Sequence, residues 1–183
     1  MPDPPLSDGE ISLRPLTARD LDALGRACAD PDLAAWLDPT RATATELPGA
    51  LLDQLTDGWR RGRAASLACV ASGTGDLHGV VALVFEADPE VAEVAYWVAG
   101  PVRGRGIATR AVELVSAWAF DELGLERLWL EVEPENEASH RVAARSGFRR
   151  EGVLRSHCRD RRSGRRHDCV VYSLLPGDRA APG

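Results

Sequence analysis

The sequence predicts a mixed α/β fold built around one sheet. Segments with the short apolar patterns of strands are interleaved with segments whose apolar residues recur every three to four positions, as in helices. Turn residues join two pairs of strand-like segments, GTGD in the first pair and DRRSG in the second. One strand-like segment passes into a helix through a glycine- and arginine-rich stretch over 99–109, called the junction below. Because no repeat or linker divides the chain, we expect one domain over 10–176, with flexible tails at 1–9 and 177–183.

The first half of the chain is predicted to contain three strands and two helices. ISLRPL at 11–16 alternates apolar and polar residues, as a half-buried strand does. Thr17 is a candidate N-cap, and Asp20 at the capping-box position supports a helix that runs to about Ala29. A second helix is predicted over 46–61, where large apolar residues recur every four positions. The apolar segments that form the first hairpin are 65–72 and 77–87.

The second half alternates strands and helices before it ends in another hairpin. Residues 93–99 form a near-continuous apolar run, which indicates a strand buried on both faces. The helix after it, 106–123, carries an apolar stripe and ends at Gly124, a typical C′ glycine. A strand is predicted over 127–133 and a helix over 136–147. The last hairpin pairs residues 148–159 with residues 166–175.

Composition and charge argue against several functional classes. The net charge of −6 disfavours a general binder of nucleic acid or membrane surfaces. No apolar stretch approaches the length of a membrane span, and the acidic, proline-rich start is not a targeting peptide, so we expect a cytoplasmic protein. No HExxH motif or CxxC pair occurs, so we expect no metal. The cysteines are interpreted as packing residues: Cys28, Cys69, Cys158 and Cys169.

The junction has the properties of an anion-binding site. A glycine-rich turn that opens a helix presents unpaired backbone N–H groups at the positive end of the helix dipole. Gly104 and Gly106 would let a phosphate approach the backbone, and Arg103 and Arg105 add positive charge. On spacing alone, a simple turn explains the pattern nearly as well. The Walker A triplet does not occur, and a dinucleotide fingerprint would have Thr109 in place of its third glycine.

A third phosphate motif fits the junction better. Residues 103–108 match Arg/Gln-x-x-Gly-x-Gly/Ala, the pyrophosphate loop of the GNAT acetyl-CoA-dependent N-acyltransferases. The strand AEVAYWV precedes it, and N-x-x-S-x-x-V-A-x-x-x-G-F follows from Asn136. From about residue 10 to 175 the sequence resembles the RimJ/RimL-like branch, similar to the acetyltransferases of ribosomal-protein N termini. The resemblance implies a single-domain GNAT fold, a mixed, mostly antiparallel seven-stranded sheet with helices on both faces and a central splayed strand pair.

The resemblance also implies acetyl-CoA as the co-substrate. Main-chain groups around Val98 and Ala99 would pair with the pantetheine arm, and an N–H in the 96–98 region would stabilise the oxyanion. Asn136 would contact the cofactor arm, although a helix N-terminus also makes it a natural N-cap. The cofactor-binding residues implied in this way are Trp97, Val98, Ala99, Arg103, Gly104, Arg105, Gly106, Ile107, Ala108, Thr109, Asn136 and Ser139.

Glu93 and Ser139 are the catalytic residues that the resemblance implies. Several superfamily members carry a general base on the strand of Glu93, often acting through water, although a glutamate there is also typical of a solvated edge. Ser139 would protonate the departing thiolate. Many members instead use a tyrosine at the position of Ala143, and the Ser139 pattern belongs to the RimJ/RimL-like branch.

The acceptor is less well determined. Trp36, Trp59 and Tyr96 are candidates for lining its groove, although aromatic residues more often belong to a core. We expect acetyl transfer to a primary amine, such as a protein N-terminal α-amine. A small-molecule or antibiotic N-acetyltransferase, an idle acyl-CoA-binding module, a succinyl donor and a homodimer stay open. The last hairpin carries arginines that form either a solvated tip or a site for an anionic acceptor: Arg155, Arg159, Arg161, Arg162, Arg165 and Arg166.

Overall fold

A computed structural model of the chain describes residues 1–34, 47–159 and 164–179. These residues form one sheet of eight strands in the order β1-β2-β3-β4-β5-β6-β8-β7, with helices packed on it. The strands are β1 (Leu6–Ser7), β2 (Ile11–Pro15), β3 (Ala64–Ala71), β4 (Leu77–Phe85), β5 (Val91–Val98), β6 (Arg127–Val132), β7 (Arg149–Arg159) and β8 (Arg166–Leu174). The helices are α1 (Leu21–Ala29), α2 (Pro31–Ala34), α3 (Leu47–Arg60), α4 (Ile107–Asp121) and α5 (Glu137–Arg145).

The predicted α/β fold is confirmed, with one strand more than the seven expected. The additional strand β1 lies within the segment predicted as an N-terminal tail, and its Leu6 pairs with Leu13 of β2. In the same segment, Asp8 accepts a hydrogen bond of 2.7 Å from Arg110 of α4. These contacts place part of the predicted tail against the domain.

The start of the first helix differs in detail from the prediction. The Asp20 carboxylate accepts a hydrogen bond from the Thr17 N–H at 2.9 Å, as in a capping box. The capping box begins a turn of 3₁₀ helix, Ala18–Asp20, and α1 follows directly from Leu21. The short helix α2 starts at Pro31, where the missing N–H of proline removes no helical hydrogen bond.

The central strands β5 and β6 run parallel to each other and separate partway along their length. Their register runs from Val91 and Arg127 to Glu93 and Trp129, where pairing stops. Both strands continue beyond that point, so a wedge-shaped gap opens between them. The splayed strand pair that the resemblance implies is therefore confirmed.

Helices cover both faces of the sheet. The larger core lies under α4, with buried residues from α4 and most strands, among them Val112 and Val115. The smaller core joins α1 and α3 to β3 and β4. Because side chains alternate along a strand, Val94 of β5 belongs to the larger core and Trp97 packs on the smaller one. Among the described residues, no helix combines the length and apolarity needed to cross a bilayer.

Candidate active site

A cleft of about 1070 Å³ occupies the gap between β5 and β6. Both strands line it, together with the junction, the first turns of α4 and α5, and part of the β7–β8 hairpin. Lining side chains of β5 include Glu93 and Tyr96, which alternation directs to opposite faces of the sheet. The cleft therefore passes through the sheet, and two ligands can meet there from opposite sides.

The junction lies at one end of the cleft and exposes its backbone. Gly104 and Gly106 have φ angles of 76° and 80°, in the left-handed region that favours glycine. Within the described chain, a Cβ built at either glycine would have no neighbour within 4 Å, so the space beside them is open. Gly106 is the N-cap of α4 and has no side chain to cap the amides of Ile107, Ala108 and Thr109, which line the cleft. This arrangement suits a phosphate.

The two arginines of the junction have different surroundings. The Arg103 Nε–H donates to the Val98 carbonyl at 3.0 Å, and its guanidinium pairs with Asp30 at 2.8 Å. Arg103 thus ties the junction to the end of α1. Arg105 is exposed and is not among the residues that line the cleft in the described chain. The backbone amides are therefore better placed than the guanidinium groups to hold a phosphate.

The open edge of β5 presents backbone groups to the gap. The Ala99 N–H donates to the His78 carbonyl at 2.8 Å, so Ala99 faces β4. Backbone groups of alternate residues point to opposite sides, which directs those of Tyr96 and Val98 toward the gap. Since the Val98 carbonyl already accepts from Arg103, the Val98 N–H and the Tyr96 backbone groups are the best candidates for pairing with an extended ligand.

Gly79 of β4 is a residue that the sequence analysis did not single out. It lies opposite Val98 in the register, and a Cβ at this position would overlap the Trp97 carbonyl oxygen. The absence of a side chain lets β4 approach β5 closely and sets the position of the cleft wall. The β4–β5 register was needed to recognise this role.

Glu93 lies where the two strands separate. It is the last residue of β5 paired with β6, and its side chain is half-buried in the cleft wall. Burial raises the pKa of Glu93 to about 7, and the charges of Glu131 and Glu86 add to the rise, while His157 opposes it. A carboxyl group with this pKa can accept and release a proton near neutral pH.

Ser139 and Tyr96 meet on the other side of the gap. The Asn136 side chain accepts a hydrogen bond from the Ser139 N–H at 3.0 Å, so Asn136 is the N-cap of α5 and orients its first turn toward the cleft. Burial raises the pKa of Tyr96, and the nearby Ser139 side chain partly opposes that rise, while the Tyr96 hydroxyl has no hydrogen-bond partner among the described residues. The cleft thus has two adjacent hydroxyl groups opposite the carboxylate wall.

The tryptophans predicted to contact the cofactor or the acceptor lie in different parts of the fold. Trp97 lines the cleft and packs on the smaller core. Trp59 does not line it, because its half-buried ring packs against the larger core, with ring centroids 6.4 Å from Phe85 and 6.3 Å from Trp118. This corrects the expectation that Trp59 lines the acceptor groove. Trp36 lies outside the described residues.

The hairpin arginines that the structure describes are partly engaged within the hairpin. Arg159 donates to the Gly164 carbonyl at 2.9 Å, and Arg166 donates to the carbonyls of Ser156 and His157 at 3.1 and 2.9 Å. Two of these arginines therefore support the hairpin backbone. Arg161 and Arg162 lie outside the described residues.

Two cysteines interpreted as packing residues come together on the β7–β8 wall of the cleft. Cys158 and Cys169 are joined as a disulfide, with their Cα atoms 6.0 Å apart. His167 lies beside them. The interpretation as plain packing residues was wrong for this pair, because no CxxC spacing marks it and only the hairpin register brings the sulfur atoms together.

Comparison with known proteins identifies the family. The model of the acetyltransferase (GNAT) domain matches residues 10–149. The chain belongs to the GNAT family. An uncharacterised N-acetyltransferase, p20 of Bacillus licheniformis, is 26% identical over 166 residues, which cover 90% of this chain and 92% of the relative.

Two solved GNAT structures share the fold over most of their length. RimJ of Mycobacterium smegmatis, in complex with CoA-disulfide, has a TM-score of 0.81 at 25% identity and covers 97% of this chain and 88% of its own. The ribosomal-protein-S5-alanine acetyltransferase of Vibrio fischeri has a TM-score of 0.79 at 23% identity, and the match covers 98% of this chain and 100% of the Vibrio chain.

The expected family, branch and reaction type are therefore confirmed. The chain is an acetyl-CoA-dependent GNAT N-acetyltransferase of the RimJ/RimL-like branch, and acetyl-CoA is its co-substrate. The residue assignments within the cleft remain predictions.

Proposed function

We propose that this GNAT enzyme acetylates the N-terminal α-amine of a protein or peptide, with Glu93 as the general base. The observation that carries the proposal is the place of Glu93, half-buried in the cleft wall where β5 and β6 separate. Its raised pKa of about 7 suits this acceptor. A free α-ammonium group has a pKa of about 8, whereas that of lysine is about 10.4, so Glu93 can deprotonate the α-amine far more readily.

The junction and the edge of β5 would hold the co-substrate. The amides of Ile107, Ala108 and Thr109 would bind its pyrophosphate, supported by their place at the start of α4. Backbone groups of Tyr96 and Val98 would pair with the pantetheine arm as an added strand does. Bound acetyl-CoA supplies the acetyl group as a thioester.

The residues of the gap would then act in sequence. Glu93 takes a proton from the α-ammonium, directly or through water, and frees the amine to attack the thioester carbonyl. A β5 N–H stabilises the oxyanion. Ser139, which lies beside Tyr96, donates a proton to the leaving thiolate and regains one from the attacking nitrogen, which yields the acetylated amine and the CoA thiol. The proton held by Glu93 then passes to solvent. Asn136 positions Ser139 through its N-cap hydrogen bond.

A small polyamine is the second candidate acceptor. The observation in its favour is that Glu131 and Glu133 line the cleft together with Glu93. Three carboxylates along one wall suit an acceptor with several ammonium groups.

The cytoplasmic location and the homodimer remain predictions.

An acceptor panel with two readouts tests the proposal. The purified enzyme is mixed with acetyl-CoA and an acceptor, CoA thiol release is followed, and the product is mapped by mass spectrometry. Two peptides of the same sequence, each with an internal lysine, are compared: one has a free N terminus and the other a blocked one. We expect turnover on the free α-amine and none on the blocked peptide. Turnover on lysine alone, or on polyamines and not on peptides, would reject the α-amine assignment.

A further inference from the structure

Cys158, His167 and Cys169 form a compact side-chain cluster on the β7–β8 wall. The register pairs Cys158 with His167, and Cys169 follows His167 by two positions, so the three side chains share one face of the sheet. One ligand atom from each residue lies within 4.8 Å of the others. Four ligands in a tetrahedron around one zinc ion are roughly 3.3–3.8 Å apart, given Zn–N and Zn–S bonds of about 2.0–2.3 Å. A small movement of these side chains would bring them to that spacing.

Carboxylates of β6 and its continuation surround the cluster. The Cys158 Sγ lies 3.2 Å from Oε2 of Glu131, and His157 Nε2 lies 2.9 Å from the other oxygen of that carboxylate. His167 Nε2 lies 3.1 Å from Oε1 of Glu133. A carboxylate against a ligating imidazole is the usual outer partner that orients the ring in zinc sites. The cluster therefore has potential ligands with carboxylates close beside them, and His167 Nε2, which has no hydrogen-bond partner among the described residues, is near enough to Glu133 to form that bond after a small rotation.

A disulfide accounts for only part of this arrangement. It requires the two sulfur atoms of Cys158 and Cys169, but neither the imidazole nor the carboxylates beside them. Glu131 and Glu133 also bring two negative charges to one wall, which a divalent cation would compensate. Thiolate and imidazole ligands together favour Zn²⁺ over Mg²⁺ or Ca²⁺, which prefer oxygen ligands.

We propose that the reduced protein binds one Zn²⁺ through Cys158, Cys169 and His167, at a site that opens into the acceptor cleft. A dithiol reductant opens the disulfide to two thiols and is itself oxidised to a cyclic disulfide. Zn²⁺ then binds the two thiolates, and the two thiol protons pass to solvent. Because the three residues line the cleft, a fourth ligand would come from water in the cleft or from Glu131, whose Oε2 lies 3.2 Å from Cys158 Sγ. The disulfide and the zinc complex are mutually exclusive states of one pair of cysteines.

Zinc content and thermal unfolding test the site independently of acetyl transfer. The full chain is reduced with a dithiol, given one equivalent of Zn²⁺ alone, desalted, and assayed for metal by atomic emission. We expect about one zinc per chain and a higher Tm than for the metal-free reduced protein. Cys158→Ser and Cys169→Ser should retain less than about a tenth of the zinc, and His167→Ala should release it at least about 10-fold more readily to a chelating dye. Cys28→Ser, which changes a free cysteine of α1, should retain all of it.

A second measurement guards against variants that fail to fold. Wild-type protein oxidised to the disulfide should keep its circular dichroism spectrum and bind no zinc, whereas renewed reduction should restore one equivalent. Thiol titration follows both steps. The proposal is overturned if reduced wild-type chain with four free thiols binds no zinc, or if a folded Cys158→Ser/Cys169→Ser double variant binds it as well as wild type. Resistance of the disulfide to an excess of dithiol would also overturn it.

Discussion

At the residue scale, the catalytic role proposed for Glu93 carries a cost in stability. Its carboxyl group is half-buried beside other carboxylates, which raises its pKa to about 7, so the folded protein holds the proton to about pH 7, whereas the unfolded chain releases it near the ordinary glutamate pKa of about 4.5. The folded state therefore binds more protons than the unfolded state between these two values. The free energy of unfolding contributed by this group falls as pH rises through that window, and the loss is complete above about pH 7.

Glu93→Gln should abolish most of the activity without removing the co-substrate. Glutamine is nearly isosteric but cannot accept the proton, so we expect kcat to fall by about 10²–10⁴-fold. The Kd for CoA, measured by calorimetry, should change little. The exposed Glu90, just before β5, offers a matched Glu90→Gln control that should keep wild-type kinetics. If Glu93→Gln keeps more than about a third of wild-type kcat, another base operates.

The pH profile of the wild-type enzyme provides a separate check. Because a general base acts only when deprotonated, kcat/KM should rise about tenfold per pH unit below pH 7 and level off above it. Solvated glutamates titrate near their ordinary pKa, so a flat profile between about pH 5 and pH 7 would exclude Glu93 as the base.

Glu93→Gln should also stabilise the folded protein in alkaline solution. At about pH 8 the wild-type carboxylate is ionised in its half-buried position, which lowers the free energy of unfolding. Glu93→Gln removes this penalty and should raise the free energy of unfolding by up to about 3 kcal/mol. At about pH 4 the carboxyl is largely protonated in both states, and the difference should nearly vanish. Urea unfolding at the two pH values measures this. Equal stability at both would mean that Glu93 titrates normally in the folded protein.

At the scale of an element, backbone geometry forms the anion site proposed at the start of α4. The two glycines of the junction adopt left-handed conformations and leave the first amides of the helix uncovered. Arg103 is engaged by Asp30 and Val98 instead. The sequence motif thus specifies a backbone shape more than a pair of positive side chains.

Gly106→Ala should weaken CoA binding more than Arg105→Ala does. Alanine in the left-handed region costs about 1–2 kcal/mol, and relieving this strain moves the amides of the first turn, so Kd should rise at least about 10-fold. Gly75 in the β3–β4 turn has a similar φ of 76° and open space around it, so Gly75→Ala is a matched control for strain alone. Calorimetry with CoA gives the ranking. A larger effect of Arg105→Ala would mean that the guanidinium holds the phosphate.

The link between β2 and α1 depends on a buried ion pair. Arg14 and Asp20 form two hydrogen bonds of 2.9 and 2.7 Å, and both side chains are at least about nine-tenths buried. Burial alone would raise the pKa of Asp20, but hydrogen bonds from Arg14 and Thr17 lower it below its usual value. The stability that the pair supplies should be present at neutral pH and be lost as pH falls through this lowered pKa.

Asp20→Asn should therefore destabilise the protein strongly. It leaves the Arg14 charge buried without its partner, which typically costs about 3–5 kcal/mol. Urea unfolding at neutral pH measures the loss, and Asp22→Asn in the exposed first turn of α1 is the control. A loss below about 1 kcal/mol would show that Arg14 finds another partner or reaches water.

At the scale of the whole molecule, the sheet is divided at its centre. Strands β1–β5 and β6–β8 pair across only the short register that ends at Glu93 and Trp129. A ligand that pairs with the open edge of β5 and binds the start of α4 would add contacts where strand pairing is missing. Binding and stability should therefore be coupled.

CoA at about 100 times its Kd should raise Tm by about 5–10 °C, since such saturation adds about 2.7 kcal/mol to a domain of this size. Amides of Tyr96 and Val98 should also exchange hydrogen more slowly when CoA is bound, whereas those of the exposed β3–β4 turn should not change. Calorimetry and hydrogen exchange measure the two effects. Saturation without slower exchange at β5 would show that CoA does not pair with this strand.

The sequence by itself determined the family, the glycine junction and the order of the main elements, but neither the short strand β1 nor the short helix α2. Apolar periodicity, caps and left-handed glycines are local properties, so they can be read without knowing which distant residues meet. The same reasoning located Glu93 on the right strand and Asn136 at a helix start.

Tertiary structure decided which side chains share a surface. Strand register and packing placed Trp59 against the larger core, made Gly79 necessary beside β5, and directed Arg103 to Asp30. The same cause brought Cys158 to Cys169 and His167 across a hairpin. A one-residue change of register would turn each of these strand side chains to the other face of the sheet, and no local pattern records which register the folded chain adopts.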